Sequence, residues 1–180
     1  MNKTQVIGAS VLAGAAAAFA LRTRKTIPKG AAAVKPFNIK KYLGRWYEIA
    51  RMDYFWERHI SDVTATYSLK DDGSIKVDNR GYDYKTKEWK ESIGKAKFVD
   101  KKDEAKLKVS FFGPFYAGYN VIAIDPEYKY ALVVGEKLDY MWLLSREKSI
   151  PDQVKSHYLR LAEGIGYKTN MLVWTAHNKD

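Results

Sequence analysis

The side chains that could take part in catalysis are few and widely spaced. The 180 residues include no cysteine, and the three histidines, His59, His157 and His177, do not have the spacing of metal ligands. Glu48 and Asp125 could be buried acids, and for both a structural hydrogen bond is a more common role than general acid–base catalysis. The sequence therefore predicts no catalytic residue, no metal site and no cofactor.

An aromatic ring and a cation lie one hundred positions apart in the chain. Trp46 begins a strand pattern in Gly44-Arg45-Trp46, and Arg146 ends a later strand pattern. A guanidinium covers a Trp ring well, through stacking and cation–π attraction. Gly44 lets the backbone come close to that cover. We expect Gly44, Trp46 and Arg146 to form a structural plug at one end of the fold, and not to bind ligand.

The net charge of +10 does not indicate a nucleic-acid partner. Residues 1–35 contain six cations and no acid, which leaves 25 of the 31 cations against 21 acids in the rest of the chain. These later charges interleave, as in residues 85–91, which is typical of a solvated strand face. No nucleic-acid-binding motif accompanies them, so nucleic-acid binding is not expected.

Residues 1–25 are typical of a signal peptide or an N-terminal membrane anchor. Residues 5–20 are uncharged, but this run is short for a membrane-spanning helix, which needs about 20 residues. Ala18-Phe19-Ala20 is an acceptable cleavage site, whereas the cations at positions 22, 24 and 25 could instead retain an uncleaved anchor. We expect export to the cell envelope, in the periplasm or at the outer membrane, and both forms of the N-terminus stay open.

Lipid attachment through an N-terminal cysteine is excluded by composition. Leu12-Ala13-Gly14 would precede the modified cysteine in a bacterial lipoprotein signal, but position 15 is Ala. We therefore expect a protein that is not lipidated.

Residues 26–36 are predicted to be a linker, and residues 37–180 a single domain. In this domain, short runs of alternating apolar and polar residues are separated by turn signals. One amphipathic helix begins near Asp152, and a short strand, 171–175, follows it. Eight antiparallel strands and one late helix predict an all-β, up-and-down barrel with the helix packed outside. The predicted strands are 44–53, 62–70, 75–83, 88–99, 105–112, 118–125, 128–135 and 139–146.

The motifs of this domain resemble those of the lipocalin family. Gly44-x-Trp46 matches the first family motif, Asp125 and Tyr128 partly match the second, and Arg146 matches the third. The likeness is strongest to the bacterial outer-membrane lipocalins, and it implies a barrel that binds lipids. Those relatives are usually lipoproteins, and this chain departs from them in lacking the lipid-bearing cysteine. The segments that carry this closer likeness are 47–51, 109–116, 119–123 and 142–146.

Strand alternation predicts a barrel lining that is mostly apolar and aromatic. Asn79 and a few Tyr hydroxyls are its polar groups, which suits an acyl chain with one polar end. Small inward residues, Ala123 among them, favour an internal cavity over a filled core. The predicted lining is Val63, Ala65, Tyr67, Ile75, Val77, Asn79, Ala96, Phe98, Val109, Phe111, Tyr119, Val121, Leu132, Val134, Tyr140 and Trp142.

Two aromatic loops are predicted to frame the mouth of the barrel, at the end away from Trp46. The first contains Tyr54, Phe55 and Trp56, and the second, between glycines at 113 and 118, contains Phe115 and Tyr116. These rings could form an exposed apolar rim or fold inward as a lid.

The charged groups Arg51, Arg58 and Lys70 could pair with a phosphate or carboxylate head group, or they could be solvated charges.

The sequence favours a non-catalytic carrier that transports or stores fatty acids or lysophospholipids in the bacterial cell envelope. Two alternatives remain: a lipid-modifying enzyme built on the same barrel, and an interaction module that forms homodimers through its aromatic rim. The expected partners are a small hydrophobic ligand, a membrane surface and a second copy of the chain.

Overall fold

The computed structural model describes residues 26–53 and 58–179 of the chain. The predicted signal or anchor and the predicted mouth residues Tyr54, Phe55 and Trp56 lie outside these described residues. The helices are α1 (Ile39–Tyr42) and α2 (Asp152–Ile165). The strands are β1 (Gly44–Met52), β2 (Ile60–Leu69), β3 (Ile75–Asp83), β4 (Glu88–Phe98), β5 (Lys106–Phe112), β6 (Phe115–Ile124), β7 (Tyr130–Val134), β8 (Met141–Ser145) and β9 (Leu172–Trp174).

Strands β1 to β8 close into an antiparallel barrel. Strands β2 to β8 pair in sequence order, and β1 pairs with both β8 and β2. The β1–β2 pairing covers only Gly44–Tyr47 of β1, and further along β1 the strand β9 lies beside it instead. The predicted eight-stranded up-and-down barrel with one C-terminal helix and a short last strand is thus confirmed.

The two ends of the barrel are built differently. The end that contains α1, Trp46 and the β6–β7 turn is called the closed end, because the rings of Tyr42 and Trp46 are buried there with centroids 4.9 Å apart. The opposite end, which contains the β3–β4, β5–β6 and β7–β8 turns, is called the open end. Any ligand that enters the barrel must therefore pass the open end.

Two apolar cores meet at the wall of the barrel. The inner core lies inside the barrel, and the outer core lies between the wall and α2. In β7, Ala131 and Val133 belong to the inner core, whereas Leu132 and Val134 belong to the outer core, so the prediction that Leu132 and Val134 line the barrel is wrong. All four side chains are fully buried because α2 covers this part of the wall, and such a strand shows no alternation in its sequence.

Strand β6 differs from its prediction at both ends. It begins at Phe115 and not at Gly118, so the aromatic segment is mainly strand, and the turn to β5 is only Gly113-Pro114. A β-bulge between Val121 and Ala123 moves Ala123 to the outer core, opposite Leu132. One extra residue in a strand reverses the face of every residue after it, so Ala123 does not face inward as predicted.

Arg146 holds the closed end together. Its guanidinium carbon lies 3.8 Å from the centroid of the Trp46 ring. The same guanidinium donates to five backbone carbonyls, those of Lys41, Tyr42, Leu43, Arg45 and Tyr128, at 2.6–3.2 Å. Three of these carbonyls are the C-terminal ones of α1, which have no partner within the helix and favour a cation.

Gly44 stands directly beside this cation. A Cβ at Gly44 would lie 3.5 Å from Nη1 of Arg146, and the residue has a φ of +94°. This left-handed conformation is one that side chains disfavour, which is the reason for a glycine at this position. Trp46 completes the arrangement by donating its indole N–H to the carbonyl of Tyr42 at 2.8 Å.

Residues 26–36 run along the barrel and are tied to it at both ends. The carbonyl of Thr26 accepts a hydrogen bond from the side chain of Asn120 at 2.6 Å. A Cβ at Gly118 would lie 2.2 Å from that carbonyl oxygen, so the chain crosses β6 where it has no side chain. Val34 then bonds to the backbone of Val121 and Ala105 near the closed end.

We expect Arg146→Ala to lower the free energy of unfolding by about 2–4 kcal/mol, because five backbone carbonyls, three of them in part-buried contacts, lose a charged donor and Trp46 loses its cover. Arg146→Lys should recover only part of this, since an ammonium cannot reach five carbonyls. The matched control is Arg160→Ala, which removes an exposed arginine of α2. Urea unfolding of the three variants is the measurement, and equal losses for Arg146→Ala and Arg160→Ala would contradict the assignment.

Candidate functional site

Three tyrosine hydroxyls form a layer across the barrel interior. Tyr119 Oη lies 2.6 Å from Tyr42 Oη and 2.7 Å from Tyr67 Oη. Tyr42 comes from α1, Tyr67 from β2 and Tyr119 from β6, so the layer ties together three elements far apart in sequence. Tyr67 and Tyr119 were predicted lining residues, whereas Tyr42 was missed because it lies before the first strand.

Burial keeps these phenols protonated. It raises the pKa of Tyr67 to about 12 and raises the pKa values of Tyr42 and Tyr119 well above the usual value for tyrosine. Each phenol has one O–H donor, so the layer has three donors and only two O···O contacts. One O–H group is therefore left without an acceptor within the layer.

The barrel below the tyrosine layer is lined by buried apolar side chains. A void of about 10 Å³, with Tyr42, Tyr67 and Tyr119 among its lining residues, is close to the minimum that one water molecule needs. A larger groove, of about 640 Å³, lies outside the barrel at the closed end. None of the predicted barrel-lining residues contributes to this groove. It is lined by Pro36, Phe37, Asn38, Ile39, Lys40, Lys41, Lys102 and Tyr128.

The predicted lining residues divide between the two halves. Val77, Ala96 and Val121 are buried in the inner core, and Phe98 packs against that core near the closed end, opposite Leu107. Towards the open end, the inward side chains are only partly buried although they face the interior of the barrel. They are Ala65, Asn79, Val109, Phe111 and Trp142, whereas the predicted lining residue Tyr140 lies just before β8 and packs against the outer core.

Aromatic rings form one side of this open half. Trp142 stacks on both Tyr119 and Tyr140, with centroids 6.5 and 6.4 Å apart. Phe111 lies on the opposite wall, where a Cβ at Gly94 would come within 2.7 Å of its ring. The glycine therefore makes room for the ring on the neighbouring strand. Above the tyrosine layer, the inner wall is therefore apolar and aromatic.

Asn79 is a polar side chain on this inner wall whose amide oxygen has no hydrogen-bond partner. It lies on β3 opposite Ala65 of β2 and Ser92 of β4. Its side-chain oxygen is buried and has no hydrogen-bond partner in the described structure. A buried amide oxygen without a donor costs free energy, so a donor from a ligand or from water would stabilise this site.

Glu48 and Arg51 form a buried ion pair in the wall of the open half, with Arg51 Nη1 and Glu48 Oε1 2.6 Å apart. Thr175 donates to the same carboxylate oxygen at 2.6 Å and accepts from Arg51 at 3.2 Å. Arg51 is therefore a buried, paired residue, and neither of its predicted roles, a head-group cation or a solvated charge, is correct.

The C-terminal segment supplies Thr175 because it fills the seam between β1 and β2. The backbone of Thr175 bonds to Ile49 of β1, and Ala176 accepts from Asp62 of β2. The ring of His177 donates to the carbonyl of Glu48 at 2.7 Å. Thr175 ends the last predicted strand, and no sequence pattern shows that this strand and the residues after it lie between β1 and β2.

The predicted mouth residues within the described ranges occupy strand β6. Phe115 begins β6 at the open end and is partly buried, opposite Phe112 of β5. The ammonium groups of Lys108 and Lys97 lie 5.3 and 6.0 Å from the centroid of the Tyr116 ring, so this ring takes part in cation–π contacts. Arg58 forms an ion pair with Asp53 at 3.0 Å.

In the described ranges 26–53 and 58–179, no three His, Cys, Asp or Glu side chains lie close enough together to hold a metal ion. His59 is hydrogen-bonded to the hydroxyl of Tyr84, and His157 packs on Tyr158 in α2. None of the helices described there is long and apolar enough to span a membrane.

The sequence is similar to several curated proteins along most of its length. It is 52% identical over 149 residues to the outer membrane lipoprotein Blc of Citrobacter freundii, covering 83% of this chain and 84% of that protein. It is 49% identical over 166 residues to Blc of Escherichia coli K12, covering 91% and 94%. The temperature-induced lipocalin-1 of Arabidopsis thaliana is 35% identical over 155 residues, covering 77% and 78%.

Solved structures share the fold at low sequence identity. Lobster apocrustacyanin A1 has a TM-score of 0.65 at 18% identity, covering 87% of this chain and 93% of that one. Insecticyanin from the tobacco hornworm has a TM-score of 0.66 at 16% identity, covering 84% and 86%. The family model for the lipocalin-like domain matches residues 37–177. With the barrel, the Trp46–Arg146 contact and these relatives, the chain belongs to the lipocalin family.

Proposed function

We propose that this lipocalin is a non-catalytic carrier that binds a fatty acid or a lysophospholipid in the open half of its barrel. The observation that carries the proposal is that the burial of inward side chains decreases above the tyrosine layer. Inward side chains below it, such as Ile75, Val77 and Leu107, are buried, whereas Phe111 and Trp142 above it remain partly accessible. Each methylene group buried there would contribute about 0.8 kcal/mol to binding.

The polar groups of the site support a ligand with an acyl chain and one polar end. Asn79 offers a buried acceptor without a partner, and the tyrosine layer offers one O–H donor. Pockets for small ligands combine an apolar lining with a few such orienting groups. Neither group is charged, so the head-group charge would stay near the mouth, where water can solvate it.

The names of the relatives support a role in the cell envelope, since several are outer membrane lipoproteins. Residues 5–20 of this chain suit an export signal or an uncleaved anchor, and the absence of cysteine excludes the thioether lipid of a lipoprotein. We infer an exported, non-lipidated protein of the periplasm or the outer membrane. N-terminal sequencing of the mature protein tests this, and a start at Leu21 would identify a cleaved signal.

Trp142→Ala should weaken the binding of a fluorescent fatty acid about tenfold to hundredfold, because burial of an aromatic side chain is worth roughly 1.5–3 kcal/mol and each 1.4 kcal/mol is a factor of ten. The matched control is Trp89→Ala. Trp89 lies on the outer wall under Arg80, 4.0 Å from the guanidinium carbon. Titration of both variants measures the dissociation constants, and equal weakening would place the ligand outside the barrel.

Asn79→Leu should weaken the binding of a lysophospholipid about threefold to tenfold, the value of one lost hydrogen bond of about 0.5–1.5 kcal/mol, because its glycerol hydroxyl can donate to the unpartnered amide oxygen. The affinity for the matching 1-alkene, which has no polar end, should stay the same or rise. Competition titrations of the two ligands against the wild type separate the effects. Parallel losses for both ligands would show that Asn79 acts through packing alone.

Native mass spectrometry of the protein from its source, followed by lipid extraction, identifies the ligand directly. We expect a co-purifying fatty acid or lysophospholipid. Recovery of no lipid, together with no displacement of a fluorescent fatty acid, would refute the carrier function.

A further inference from the structure

The open end carries four of the nine large apolar side chains that are exposed among the described residues. Four separate elements each present one: the β3–β4 turn, the end of β5, the β7–β8 turn and the 3₁₀ turn before β9. We call these residues the rim. They are Tyr84, Phe112, Leu138 and Met171, with exposed fractions of 55%, 59%, 40% and 54%. Apolar side chains that stay exposed to water cost free energy, and this cost is removed when another surface covers them.

The charges around the rim nearly balance. Lys85 follows Tyr84 and Lys137 precedes Leu138, while Glu136 and Asp139 flank the same Leu138. A surface of apolar tips with long cations beside them suits the boundary between lipid tails and head groups, because Lys side chains extend to water while their stems stay apolar. A nearly neutral rim relies on its apolar tips and needs no anionic lipid.

The N-terminal side of the described structure ends near this rim. Thr26 is held against Gly118, which is three residues, or about 10 Å of strand, from the open-end start of β6. Only residues 21–25 separate Thr26 from the apolar run 5–20, and five residues span at most about 17 Å. A membrane-inserted run would therefore bring the open end to the bilayer, since the closed end lies about 20 Å of strand in the other direction.

We propose that the rim is a membrane-docking surface that sets the open end of the barrel against a lipid bilayer. The apolar tips then enter the head-group region, and the mouth faces the membrane directly. This goes beyond the carrier function, because it names the surface from which a ligand enters and to which it returns without crossing water.

The absence of native cysteine allows a direct test on the full chain. Single variants Phe112→Cys and Met171→Cys place an environment-sensitive fluorophore on the rim. The matched controls are Leu69→Cys at the closed end and Ile93→Cys on the outer wall, where the native side chains are exposed to a similar degree. The labelled proteins are reconstituted in phosphatidylcholine vesicles with and without doxyl-labelled lipid, at physiological salt.

We expect the lipid quencher to reduce fluorescence several-fold more at Phe112 and Met171 than at Leu69 and Ile93, with little effect of added salt. Equal quenching at all four positions, or stronger quenching at Leu69, would overturn the proposal. Shielding of the rim labels that depends on protein concentration and not on lipid would assign the surface to a second copy instead. Fatty-acid titration of the same proteins tests the carrier function independently, because the labels lie outside the barrel.

Discussion

The guanidinium of Arg146 joins three parts of the chain that would otherwise end separately: α1, the start of β1 and the β6–β7 turn. It covers the Trp46 ring and donates hydrogen bonds to backbone carbonyls of all three parts. Buried carbonyls need donors, and one planar cation with five N–H groups supplies them at a single point. One residue therefore holds α1, the start of β1 and the β6–β7 turn together at the closed end.

That fixed end explains the division of the barrel into two halves. Below the hydroxyls of Tyr42, Tyr67 and Tyr119 the side chains pack with almost no void. Above them, small and aromatic residues leave the inner wall partly uncovered. Stability and binding thus rest on different residues of the same strands. Tyr119 belongs to both sets, because it stacks on Trp142 and also joins the other two hydroxyls.

Sequence patterns predicted the barrel and most of the inner wall. Alternation was reliable in β2 to β5, where the outer face is solvated and polar. It failed in β6 and β7, because the bulge near Ala123 shifts the register and α2 makes the outer face of β7 as apolar as the inner one. Arg51 was misjudged for another reason: its partner Thr175 is 124 residues away, and no local pattern encodes such a pairing.

The seam between β1 and β2 has a consequence for the order of folding. Glu48 and Arg51, near the beginning of the domain, complete their contacts only with Thr175, 127 and 124 residues later. Contacts of such high sequence separation form slowly, and they cannot form before residue 175 has been synthesised. Before the segment after β9 binds between β1 and β2, Glu48 and Arg51 lack their contacts with Thr175. The wall of the open half is thus complete only when the segment after β9 has joined β1 and β2.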